Sequence, residues 1–115
     1  MSLFINGEWL YTADAHVHTF PDKIAEKAVG KLARISGIAP CTDGTFAQTQ
    51  QCMEKSGIDH AVLLNIATVP GQEHTINDCA SEINRRPGFT ALGSVHFLSE
   101  NPVKEIRRIK ELGLC

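Results

Sequence analysis

The sequence predicts an α/β domain of consecutive strand–helix units on a parallel sheet. Three observations predict it. Strand-like and helix-like segments alternate from Ala13 to Leu112. The run Ala61 to Ile66 is short and almost wholly apolar, the pattern of a parallel strand buried on both faces. Helical segments are followed by glycine or Pro-Gly punctuation, at Gly37, Gly57, Pro87-Gly88 and Gly113.

Each element has its own local reason. Leu3 to Ile5 and Trp9 to Tyr11 flank Asn6-Gly7, a dipeptide suited to a tight hairpin turn. The second arm is expected to run on through Thr12 and Ala13 into Asp14-Ala15-His16-Val17-His18. Phe20-Pro21-Asp22 opens a helix over Asp22 to Ser36, along which Ile24, Ala28, Leu32 and Ile35 recur at helical spacing. Ile38 to Gly44 reads as a loop. A second helix covers Thr45 to Ser56, with Thr45 and Gln48 at capping-box spacing and Asp43 as the alternative cap. After the apolar strand, Pro70-Gly71 marks a loop, and Ile76, Cys79, Ala80 and Ile83 mark the next helix. Phe89 to Phe97 reads as a strand. Asn101-Pro102 opens a last helix, with Val103, Ile106, Ile109 and Leu112 as its expected apolar stripe. Leu114-Cys115 reads as the start of a further strand, so the chain is expected to be the front part of something longer.

Composition narrows the function classes. The chain has 115 residues, 43% hydrophobic and 21% charged, which suits one soluble globular domain. A net charge of -2 gives no electrostatic case for nucleic acid or an anionic membrane. No apolar stretch is long enough to span a bilayer, and the first residues lack a basic signal-peptide region. Cys41, Cys52, Cys79 and Cys115 form no C-x-x-C motif, so free thiols in a reducing cytoplasm are expected. The expected partner is a small-molecule substrate.

The most informative stretch is Asp14-Ala15-His16-Val17-His18, at the C-terminal end of the first strand of the series. Residues two apart on a strand share a face and lie about 6.6 Å apart. Two imidazoles so placed can converge on one divalent metal, zinc foremost, if the strand end bends. The bland alternative is two ordinary strand histidines. Asp14 reads as a carboxylate orienting a histidine or as a turn residue shaping the strand exit. His96, expected at the end of the third strand, is the candidate third group on the same rim. Asn65 and Thr68, closing the second strand, are candidates for lining the site. His60 reads as structural and His74 as solvated. Glu54, Glu82 and Glu105 read as solvated helix faces. No Walker A loop, G-x-G-x-x-G or G-x-S-x-G is present, so phosphate-cradling, dinucleotide and serine-hydrolase chemistry lack a signature.

The segment Asp-Ala-His-Val-His-Thr-Phe-Pro-Asp-Lys-Ile-Ala, residues 14 to 25, resembles the opening of amidohydrolase-superfamily enzymes of the amidohydrolase-2 branch. Thr42 to Thr45, Met53 to Asp59, Leu64 to Thr68 and Ile106 to Leu114 resemble the same branch, and the likeness covers about residues 14–115. The resemblance implies the N-terminal half of a metal-dependent (β/α)₈ barrel, a fold of roughly 250 residues when complete. It implies hydrolysis of an amide, ester or lactone bond, or decarboxylation of a small aromatic acid. It makes His16 and His18 the strand-one metal ligands and leaves the other ligands outside this chain. Residues 1–13 then form an N-terminal extension or hairpin strand.

Two other readings compete. A polymerase-and-histidinol-phosphatase-type phosphoesterase also begins with Asp-x-His-x-His-Thr, although the Ser-Asp-Gly expected soon after is missing. A non-catalytic half-barrel binding or assembly module is the other. Its open sheet edges would require a second copy or a C-terminal half.

Overall fold

The computed structural model describes residues 2–115. Asn6 and Gly7 both take positive φ, 54° and 88°, as a type I′ turn requires. They join β1 (Leu3–Ile5) to β2 (Glu8–Leu10) in an antiparallel hairpin with Phe4 opposite Trp9. The hairpin ends where Thr12 turns to other partners. Its hydroxyl donates to the Gly57 carbonyl at 2.7 Å, and its backbone N–H donates to Asp59 Oδ2 at 2.8 Å. The expected unbroken run from Trp9 into Asp14 is therefore interrupted, and β1–β2 is a sheet of its own.

The main sheet has three parallel strands in chain order: β3 (Ala13–Val17), β4 (His60–Leu64) and β5 (Phe89–Leu92). Between them run α1 (Asp22–Ser36), α2 (Phe46–Ser56) and α3 (Glu73–Asn84), and α4 (Pro102–Glu111) follows β5. The α/β class and the parallel pairing expected from the alternation are what the chain forms. The α1 bounds match the periodicity, and Gly37 closes the helix in the left-handed conformation. Thr45 Oγ1 accepts from the Gln48 backbone, as its spacing predicts, and Asp43 Oδ1 in turn accepts from the Thr45 backbone. Asn101 caps α4 by accepting from Lys104 N–H at 3.1 Å.

The core lies on one face of the sheet. Ala61, Leu63, Phe89 and Ala91 pack with Ala80 and Ile83 of α3 and with Leu114. Phe46 and Met53 of α2, and Ile109 of α4, complete it. Gly93 admits α4 closely, since a Cβ there would stand 2.4 Å from Ile109. A smaller cluster joins Phe20 to Ala25 and Ala28 of α1.

Four expectations need correction. The β4 strand is not buried on both faces. Ala61 and Leu63 are buried, but His60, Val62 and Leu64 on the other face are only partly covered. The third strand ends at Leu92 rather than Phe97. Beyond it, Gly93 N–H donates to the Cys115 carbonyl and Ser94 N–H to Asn77 Oδ1, and the chain turns away. The predicted α4 stripe is split, because Val103 and Ile106 are each 56% exposed. Glu105, expected in solvent, is buried instead. It accepts from Asn77 Nδ2 at 2.8 Å and from the Arg108 guanidinium.

Candidate metal centre

The His16–His18 pair is built by a defect in the sheet. Asp14 pairs with Ala61 and Val17 with Leu63, so the register shifts between them. A bulge bends a strand and re-aims its side chains. Asp14 holds this one, because its Oδ1 accepts from the His16 backbone N–H at 3.0 Å. Of the two roles open to Asp14, the carboxylate occupies the one that shapes the strand exit. The bend brings the two imidazoles edge to face, with centroids 4.9 Å apart and Nε2 atoms 3.1 Å apart.

Backbone hydrogen bonding fixes one tautomer. His18 Nδ1 lies 2.6 Å from the Leu64 carbonyl oxygen. A carbonyl only accepts, so Nδ1 carries the proton and Nε2 of neutral His18 keeps a lone pair that accepts. His16 Nε2–H then donates to it. Two zinc–nitrogen bonds of about 2.05 Å at a tetrahedral angle separate their nitrogens by about 3.3 Å. The Nε2 pair is already close to that spacing. A carbonyl behind the distal ring nitrogen is also the usual means of orienting a ligating histidine. The spacing suits a divalent metal held through Nε2 of both residues, once the His16 proton has moved from Nε2 to Nδ1.

The other candidates are placed elsewhere. His96 is corrected: it lies in the turn after β5, where Nδ1 accepts from Leu98 N–H at 3.1 Å and the ring stacks on Phe97. The strand that was to carry it to the rim stops four residues earlier. Among the described residues no third His, Cys, Asp or Glu joins the pair in a group of metal-binding geometry. Asn65 follows β4 and donates from Nδ2 to the Leu92 carbonyl at 3.0 Å, tying two strand ends together. The Thr68 hydroxyl and N–H both donate to Gln72 Oε1 within the β4–α3 loop. His60 is structural, with Nε2 2.9 Å from Thr90 Oγ1. His74 is exposed on α3, near Asp78 and Glu105.

Sequence reasoning missed two contributors. Leu64 acts through its backbone oxygen, which carries no side-chain signal. The second is a cavity of about 880 Å³ that His16 and His18 border, walled by α1, the 38–42 loop and α2. The four cysteines are free, and Cys41 and Cys52 line this cavity. No helix among the described residues is long and apolar enough to cross a membrane. A scan against protein-family models, a search of curated proteins and a search of solved structures each found no match.

Proposed function

We propose that His16 and His18 form the strand-one part of a divalent-metal site, zinc foremost, in a hydrolase or decarboxylase of the amidohydrolase type. The observation that carries this reading is the Nε2–Nε2 distance of 3.1 Å, with His18 oriented by the Leu64 carbonyl. Position supports it, since functional groups in α/β folds collect at C-terminal strand ends. Topology supports the finer fold reading, consecutive units resembling the N-terminal half of a (β/α)₈ barrel. The strands follow chain order, and the helices α2, α3 and α4 pack on the same sheet face. The substrate class is a small molecule with an amide, ester, lactone or carboxylate group.

The division of labour follows from the geometry. Asp14 holds the bulge and thereby the His16 backbone. Leu64 holds the His18 ring in one tautomer. His16 and His18 present their Nε2 atoms to the metal. When bound, the metal supplies polarisation of a carbonyl oxygen or acidification of water. Calorimetric titration of the chain with zinc tests the assignment. Wild type is expected to bind, and His16→Ala and His18→Ala to lose the isotherm while keeping their circular dichroism. Undiminished zinc binding by both variants would sink it.

A further inference from the structure

The cavity beside the histidine pair has properties that the metal reading does not use. Its volume of about 880 Å³ lies within the roughly 300–1,000 Å³ of small-molecule sites. Val17, Phe20, Val29, Leu32, Ile38 and Met53 give it apolar walls from several elements. No lysine or arginine is among the described residues that line it, and the Asp14 carboxylate does line it. In the metal-free chain such walls offer an anion no lysine or arginine to offset lost hydration, whereas an uncharged apolar molecule has little hydration to lose.

A docking strand is the competing occupant, because β3 is at the sheet edge. The edge is poorly suited to it. The β3 bulge bends the backbone, and Asp14 already takes the His16 N–H. Bulges and charged side chains are the devices that blunt edge pairing. We propose that this cavity binds an uncharged, predominantly apolar small molecule, next to the His16–His18 pair and independently of whether that pair holds a metal.

The neutral fluorophore N-phenyl-1-naphthylamine is the probe, with 1-naphthamide and 1-naphthoate as competitors. Saturable binding of about one dye per chain is expected, with naphthamide displacing it at least tenfold more effectively than naphthoate. Cys52→Trp, at an exposed wall position on α2, and Ala33→Trp, on α1, are each expected to weaken dye binding at least tenfold. Wild-type chain is expected to bind the dye equally with zinc and with a chelator present, and zinc binding is read separately, so a failed metal reading and a failed cavity reading give different results. Absence of saturable binding, equal potency of naphthoate, or unchanged affinity in a folded Cys52→Trp chain would each overturn the proposal. So would loss of the dye as the chain self-associates on sedimentation, which would give the cavity to a second copy.

Discussion

Two polar clusters occupy the same molecule and differ in what they leave unpaired. Around α3 and α4, Asn77 is wholly buried and uses both ends of its amide. It donates to the Ser94 carbonyl and to Glu105, and accepts from the Ser94 backbone. Glu105 accepts in turn from Arg108, whose guanidinium also reaches Asp78 and the His74 carbonyl. At the end of β3 the polar groups are exposed. The backbone orients His18 through Nδ1, and its Nε2 has only the neighbouring imidazole as partner. The first arrangement spends its hydrogen-bonding capacity on holding two helices and a loop. The second spends one nitrogen of His18 on position and leaves the other paired only with the His16 ring. Stability and the proposed metal binding are thus assigned to different clusters, and substitutions should separate them too.

The largest expected effect is in the buried network. Asn77→Ala strands the Ser94 N–H and one side of Glu105, and should cost about 3 kcal/mol in urea unfolding. His18→Ala, at an exposed site, should change stability by less than about 0.5 kcal/mol. Equal losses would erase the distinction between the clusters. Glu105→Gln should cost about 1–2 kcal/mol at neutral pH by weakening the Arg108 contact.

The Glu105 carboxyl also gives the network a pH signature. Hydrogen bonds from Arg108, then from Asn77, hold it below its ordinary value of 4.5. The unfolded chain therefore takes up the proton first as pH falls. This contribution is present above 4.5 and is lost as pH drops through the lower folded value. Wild type should lose its advantage over Glu105→Gln in that acid range, as followed by thermal melts. A constant difference from pH 7 to pH 3 would contradict the network's role.

Asp14→Ala probes the exposed cluster. It releases the His16 N–H and loosens the bulge, and zinc affinity should fall about tenfold with little change in melting temperature. The smallest effect is expected on the outer face of α4, where Val103→Ser and Ile106→Ser should each change stability by less than about 0.5 kcal/mol.

That outer face shows where sequence reading reached its limit. The α1 helix was legible because the opening proline, the periodicity and the terminal glycine agree. The α4 stripe was misread because steps of three residues drift by about 60° per step around a helix. Val103 and Ile109 therefore cannot face the same neighbour. The buried face runs through Glu105, Ile109 and Leu112, and a glutamate on it carries no apolar signal. At the site, the His-x-His spacing was legible and the bulge that makes it converge was not. The shift depends on an Asp14 side chain bonding its own strand, which competes locally with sheet pairing. His96 was misplaced because the end of β5 is set by Asn77 and Cys115, partners distant in sequence.

The proposed metal site rests on two Nε2 atoms, one of them prepared by the Leu64 carbonyl. Nitrogen-15 spectra of the imidazoles during zinc titration test it most directly. Nε2 of both His16 and His18 is expected to shift on zinc addition while Nδ1 of His18 stays protonated. The His16 proton is expected to move from Nε2 to Nδ1. Unshifted Nε2 resonances, or zinc on His18 Nδ1, would contradict it.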